Sequence, residues 1–215
     1  MATGKPLSNH GVLVTFEGSD GAGKSTLIRA VEAELKRRKI PVVITREPGG
    51  TLLAEKIRHL ILEHSMSRET ELLLYEAARN EHVLHRIAPA LKKGLVVLCD
   101  RYTDSSLAYQ SAGRGIGWSN VEWLNRFATD NLRPTLTVYL KSEPRKTLLK
   151  AKRKTRFERE GVAFQRRVQI GFARAMRLHP QRWVVLQSWS QPPARMAGDV
   201  VRRIESTVKK KSRTR

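Results

Sequence analysis

The stretch Gly18-Ser19-Asp20-Gly21-Ala22-Gly23-Lys24-Ser25, followed by Thr26, constrains this chain more than any other. It fits the spacing of a glycine, four residues, then Gly-Lys-Ser. Val12 to Phe16 precede it as a short apolar run that reads as a buried strand. Leu27 to Lys39 follow it with apolar residues at 27, 28, 31 and 35, a helical spacing. Strand, glycine loop and helix are the context in which this spacing binds a polyphosphate. Glycines let successive backbone N–H groups turn inward where side chains would block the approach. The helix N-terminus adds partial positive charge. Lys24 is placed to reach the β- and γ-phosphates, and the Ser25 hydroxyl to ligate Mg²⁺. A chance glycine-rich turn is the alternative, and it leaves the flanking strand and helix unexplained.

A length of 215 residues suits one domain with a real core. A hydrophobic content of 40% and a charged content of 28% fit a globular chain. No apolar run approaches the roughly 18 residues of a membrane span, so no membrane partner is expected. Residues 1–10 lack an apolar signal core and read as a disordered extension. The single cysteine, Cys99, closes an apolar run and reads as a core thiol; with no second cysteine, a reducing, cytoplasmic setting is expected. The net charge of +21 attracts polyanions. The excess gathers between Lys141 and Arg167 and in a tail over 208–215. That tail reads as a disordered extension; nucleic-acid binding by it is possible in principle but not expected, since no aromatic residues interleave with its charges.

Further strands are expected at Val42–Thr45, Leu95–Cys99, Leu136–Leu140 and Trp183–Leu186. Helical patterns alternate with them: Leu52–Glu63, Thr70–Leu91 with a kink at Pro89, Asp104–Ser111, a helix opened by the capping box Ser119-Asn120-Val121-Glu122, one with Pro144 in its first turn that runs into Lys150–Lys154, Val162–Leu178, and Pro193 to about Val208. Gly94 suits the end of the long helix. Five strands alternating with helices predict an α/β fold, a five-stranded parallel sheet covered on both faces, with the phosphate loop at its first strand-to-helix turn. A single domain is expected over 11–207. Its basic segment at about 152–162 reads as a lid able to close over phosphates.

A phosphate loop alone does not separate a switch, a motor, a transporter ATPase and a kinase. The short chain and the absence of an Asn-Lys-x-Asp guanine-reading motif favour a small kinase. Five blocks in order carry a resemblance: Phe16 to Thr26; Thr45-Arg46-Glu47-Pro48-Gly49-Gly50-Thr51; Tyr75-Glu76-Ala77-Ala78-Arg79; Asp100-Arg101-Tyr102 through Ser105 to Gln110 and Gly113-Arg114-Gly115; and Arg156-Phe157-Glu158 ahead of Phe164 and Arg167. From Gly11 to about Ser206 the chain resembles the thymidylate kinases. The resemblance implies a homodimer that transfers a phosphoryl group from Mg²⁺–ATP to dTMP, giving dTDP and ADP.

It also implies roles, residue by residue. Gly18 to Thr26 hold the ATP phosphates, with Lys24, Asp20, Arg101 and Arg156 as the catalytic set. Asp20 meets the sugar 3′-hydroxyl. Arg46, Arg79 and Arg101 are acceptor-side arginines, suited by a planar fork to phosphate oxygens or to stacking on a base. Tyr75 stands where the family usually stacks a Phe on thymine, Ser106 helps read the pyrimidine edge, and Tyr109 packs against the sugar. Pro48 and Gln110 complete the acceptor site, and Ser25 with Asp100 is the metal pair.

Bland readings stand beside these. Arg46 and Arg79 also fit surface ion pairs, Tyr75 fits the core, Asp100 fits a helix cap, and Gly113 and Gly115 fit a turn. Gly21 occupies a position where some members carry an arginine, so Arg156, with Arg153 and Arg159 nearby, is expected to supply that cation from the lid. Thr135 and Lys141 replace acids common in the family, and Thr155 replaces a frequent Asp. Two other functions remain open at this point: a kinase for another pyrimidine nucleoside monophosphate, and a nucleotide- or nucleic-acid-binding protein of low turnover.

Overall fold

The computed structural model describes residues 11–143, 160–187 and 191–213. The strands are β1 (Val12–Glu17), β2 (Val42–Arg46), β3 (Val96–Asp100), β4 (Leu136–Lys141) and β5 (Trp183–Gln187). They form one parallel sheet in the order β2-β3-β1-β4-β5. Because both faces of this sheet are covered, its central strands are apolar runs rather than alternating ones.

One face carries Val12, Val14, Phe16, Val96, Leu98 and Val138. They pack against Leu27, Ile28, Val31 and Leu35 of α1 (Lys24–Arg37), and against Met196, Val200 and Ile204 of α8 (Pro193–Arg213). The other face carries Leu13, Val97 and Cys99 beneath Val83, Ile87 and Leu91. It continues through Tyr139 and Trp183 to Phe164, Val168 and Phe172 of α7 (Gly161–Leu178). A polar seam crosses this second face. Thr15 Oγ1 donates to Thr137 Oγ1 at 3.1 Å, and Arg182 clasps the buried Asp104 with two hydrogen bonds of 2.6 and 2.7 Å.

The remaining helices are α2 (Leu52–Glu63), α3 (Arg68–His82), α4 (Ala88–Lys92), α5 (Thr103–Ser106) and α6 (Trp118–Thr129). The expected α/β architecture is present, with differences at the ends and turns. α1 begins at Lys24 rather than Leu27. The long helical region does not simply kink at Pro89. Val83–Ile87 form a π turn between α3 and α4, closed by the Ala88 N–H on Val83 O, so the wider register arrives just before the proline that lacks a donor. Gly94, at φ 75°, ends α4: its N–H donates to Leu91 O, and that of Leu95 to Ala90 O.

A second π turn, Leu107–Gly113, extends α5 past the expected end of that helix. The capping box at Ser119 does not form. α6 starts two residues earlier, at Trp118, its N-cap is Gly117, and no side chain caps it. α8 runs to Arg213, so much of the tail expected to be disordered continues a helix. The helix expected from Pro144, most of the lid, Arg153, Arg156 and Arg159 lie outside the described residues. No helix among the described residues is long and apolar enough to cross a membrane.

Candidate active site

The parallel register brings the carboxyl ends of β1, β2 and β3 to one level. Phe16 and Arg46 both pair with Asp100. The loops leaving these strands therefore converge, and two adjoining clefts open there.

The first belongs to the phosphate loop. Gly18, at φ 138°, lies so close to β4 that a Cβ there would sit 2.6 Å from Leu140 O. Gly21, Gly23, Lys24, Ser25 and Thr26 line the cleft beside Arg46, Asp100 and Arg101. Gly18, Ser19 and Ala22 are not among its lining residues. They shape the loop from below: Ala22 N–H donates to Ser19 O, and Lys24 Nζ bonds the carbonyls of Gly18 and Ser19, both at 3.1 Å. Burial, joined by the charge of Arg101, lowers the Lys24 pKa below the usual lysine value; Asp100 and Asp20, each 4.0 Å away, work against that.

The Ser25 hydroxyl donates to Asp100 Oδ2 at 3.4 Å. Asp100 Oδ1 is buried without a hydrogen-bond partner among the described residues. A hydroxyl beside a carboxylate with an unused buried oxygen fits a hard divalent cation such as Mg²⁺, which takes few protein oxygens and fills its shell with phosphate and water. Asp100 caps no helix: α5 begins at Thr103 after Tyr102, and no side chain caps it.

The second cleft is lined by Asp20, Pro48, Tyr75, Arg79, Arg101, Ser106, Tyr109 and Gln110, among others. The expected acceptor-side residues are therefore gathered in one place, except Arg46, which lines the phosphate cleft and pairs with Glu55 at 3.0 Å. Asp20 and Arg101 line both clefts and mark their junction. Arg101 Nη2 donates to Asp20 Oδ1 at 2.7 Å and to the Tyr109 hydroxyl at 3.3 Å, and its guanidinium lies 4.9 Å from the centre of the Tyr109 ring. Burial alone would raise the Asp20 carboxyl, but Arg101 and Lys24 outweigh it and hold it down at about 2. Burial pushes the Tyr75 and Tyr109 phenols up, so both stay neutral hydroxyls.

Arg79 is not the surface ion-pair residue of the bland reading. It is 2% exposed. Nε donates to Glu47 at 2.7 Å; Nη1 donates to Glu76 and Asn125, both at 2.6 Å, and to Ser106 Oγ at 2.9 Å. Its Nη2 has no hydrogen bond in the described structure while the residue lines the cavity, so that corner of the fork is left for a ligand. Ser106, expected at the pyrimidine edge, supports Arg79 as well as lining the cavity.

Sequence reasoning missed Arg58, Glu47 and Glu17. Arg58 lines both clefts and donates to Pro48 O at 2.9 Å across the cis Glu47–Pro48 peptide. Within α2 it reads as one more surface arginine, and only the packing of α2 on α3 brings it in. Glu47, within a quoted block, anchors Arg79 and also contacts His82 Nδ1 at 3.1 Å. Glu17 ends β1 and accepts from Tyr102 N at 2.9 Å and Ser105 Oγ at 2.5 Å, fixing the loop in which Arg101 takes a left-handed φ of 71°. Burial, aided by the charge of Asp104, pushes the Glu17 carboxyl up to about 8. Its place directly before Gly18 was the available signal.

Comparison with known proteins agrees with this geometry. The family model described as thymidylate kinase matches residues 16–194. The thymidylate kinase of Lactobacillus acidophilus is 43% identical over 209 residues, covering 93% of this chain and 96% of the relative. That of Bacillus pumilus is 40% identical over 208 residues, covering 93% and 98%. The crystal structure of thymidylate kinase from Ehrlichia chaffeensis superposes with a TM-score of 0.73 at 31% identity, covering 89% of this chain and 98% of that one. A phosphate loop facing a cavity of the expected composition, on a sheet shared with a solved relative, leads to one assignment: this chain belongs to the thymidylate kinase family.

Proposed function

We propose that the protein transfers the γ-phosphoryl group of Mg²⁺–ATP to dTMP, giving dTDP and ADP. The observation that carries this reading is the junction of the two clefts, where Asp20 and Arg101 face both a phosphate loop and a cleft lined by Tyr75, Arg79 and Gln110. ATP phosphates lie along Gly18 to Thr26. The acceptor nucleotide lies with its ring in the cavity and its phosphate towards Arg101, Arg58 and Arg46.

The acceptor oxygen belongs to a phosphate monoester whose second pKa is near 6, so at neutral pH it is already mostly anionic. It needs no general base, which suits clefts that no histidine or cysteine lines among the described residues. That oxygen attacks the γ-phosphorus, the bond to the β–γ bridging oxygen breaks, and its electron pair leaves on ADP. Catalysis then rests on alignment and on cations around the transferring group. Lys24 moves from its own loop carbonyls onto the β- and γ-oxygens, and Arg101 holds the acceptor phosphate. Arg156 supplies the cation that Gly21 does not. Ser25 and Asp100 would hold Mg²⁺, which would supply charge neutralisation to the donor phosphates.

The active form we propose is a homodimer in the cytoplasm. Trp123 and Phe127 of α6 stack at 5.6 Å while 57% and 74% exposed, and Leu73 of the adjoining α3 is exposed too, a patch that a second copy would cover. Sedimentation equilibrium should then return twice the chain mass of 24.4 kDa. The free, buried thiol of Cys99 suits a reducing compartment.

Production of ADP from Mg²⁺–ATP with dTMP, dUMP, UMP, dCMP, dGMP and AMP tests the reaction. Strong preference for dTMP is expected. Preference for another acceptor would discard the pocket assignment, and no turnover with any of them would discard the kinase.

A further inference from the structure

Glu71 is an acid that neither the phosphate loop nor the acceptor cavity uses directly. It sits in the first turn of α3, 1% exposed, behind Gln110. Gln110 lies in the π turn Leu107–Gly113, whose wide register is associated with functional positions. Its Nε2 donates to Glu71 Oε1 at 2.9 Å. Arg114 faces the same carboxylate, with Nε 3.3 Å from Oε1 and Nη2 3.3 Å from Oε2.

The chemistry of this triad fixes an orientation. An amide group has two ends, a donor NH₂ and an acceptor oxygen, and can be turned over at little steric cost. A carboxylate paired with a guanidinium is ionised and only accepts. Gln110 must therefore give its NH₂ to Glu71 and present its oxygen to the cavity it lines. That oxygen has no hydrogen bond in the described structure. Arg79, which has only donors, lines the same cavity with its Nη2 uncommitted.

We infer that Glu71 is a specificity-determining positioning residue: by holding Gln110 with its oxygen inward, it makes the cavity accept pyrimidines that carry a ring N3–H next to a 4-oxo group and refuse 4-amino pyrimidines. The inference rests on the dTMP reading of the cavity. A 4-oxo pyrimidine gives its N3–H to the Gln110 oxygen and takes an Arg79 N–H on O4. Cytosine reverses both, with an acceptor at N3 and a donor at C4, so oxygen would face nitrogen lone pair and N–H would face N–H. Sites that pair buried polar groups with a ligand discriminate strongly, because a mismatch leaves those groups unpaired. Arg114 lies one residue past the π turn, so the same segment that presents Gln110 keeps its anchor charged.

The test is Glu71→Gln, with kcat/KM measured for dTMP and dCMP. A glutamine at 71 both donates and accepts, so it no longer dictates the orientation of Gln110. The dTMP-to-dCMP ratio is expected to narrow by at least about tenfold, mainly through loss with dTMP, while KM for ATP stays within about twofold. An equal loss with both acceptors, leaving the ratio unchanged, is what a merely structural acid would give and overturns the inference. The unmutated protein supplies a second measurement that does not depend on the variant folding. 3-Methylthymidine monophosphate, which lacks the N3–H, is expected to bind at least about tenfold more weakly than dTMP. Equal affinity overturns the inference. Preference of the unmutated protein for an acceptor other than dTMP is a different failure, that of the underlying reading.

Discussion

The two halves of the site treat their charged groups differently. In the acceptor half, Arg79 is enclosed by Glu47, Glu76, Ser106 and Asn125 at hydrogen-bond distance before any ligand arrives. In the phosphate half, Lys24 rests on two backbone carbonyls, and its nearest carboxylates are 4.0 Å away. Arg46 there relies on Glu55 at a half-exposed position. The acceptor half must recognise a neutral ring, so its charges are settled in advance and only selected corners are offered. The phosphate half must receive several negative charges, and a cation on neutral carbonyls transfers to phosphate without breaking a tight ion pair. One half spends charge on architecture, the other on rate.

The largest expected effect tests the architectural half. Arg79→Met leaves Glu47 and Glu76 buried without their cation, and should cost about 3–5 kcal/mol of unfolding free energy, read from denaturant titration. A loss below about 1 kcal/mol would mean that this half is not held by its charges. The converse holds for Lys24→Met. Its kcat should fall by about 10²–10³-fold, the scale of losing a preorganised donor to developing charge, with stability changed by less than about 1 kcal/mol.

Arg156→Ala belongs with Lys24: kcat should drop by at least about 10²-fold with little change in KM for dTMP. Less than a threefold change would remove Arg156 from the transition state.

The smallest effect concerns Glu17, at the seam between the halves. Its folded pKa of about 8 lies above the ordinary 4.5, so the folded chain holds a proton there that the unfolded chain releases. Stability contributed by this group is complete below pH 4.5 and declines as pH rises towards 8. The melting temperature should therefore fall between pH 5 and 8, and Glu17→Gln should flatten that slope. Asp20 does not interfere. With its pKa lowered to about 2 from 3.8, its contribution is lost only as pH drops from 3.8 towards 2.

What could be read from the sequence follows the same division. The strands were legible because a parallel sheet buried on both faces needs unbroken apolar runs, and Leu52–Glu63 was legible from apolar residues spaced along one helical face; in the structure Thr51 caps it, accepting from Ala54 N. The phosphate loop was legible as well, since its residues are contiguous and its spacing is set by the ligand. The supporting acids and Arg58 were not. Glu71, Glu76 and Arg58 occupy helices where an isolated charged residue has the pattern of a solvated face, and only the meeting of α2, α3 and the second π turn reveals that they point inward. The π turns escaped for a related reason. Leu107–Gly113 shows ordinary helical spacing, and the extra residue in its turn is stabilised by packing on α7 rather than by local propensity. At Ser119 a local capping signal lost to a start two residues earlier, after Gly117.

The packing of α8 over α1 has a consequence for how such a chain is made. The apolar stripe of α1 is covered by Met196, Val200, Val201 and Ile204, and Arg38 at its end is tied to Glu205 at 2.8 Å. The phosphate loop springs from that helix. During synthesis its N-terminal half therefore emerges early with its partner still unmade, and remains sticky until nearly the whole domain has been translated. Nascent chains stalled short of residue 196 should be clients of chaperones and poor at retaining nucleotide, so that acquisition of the ligand becomes a report of completed translation.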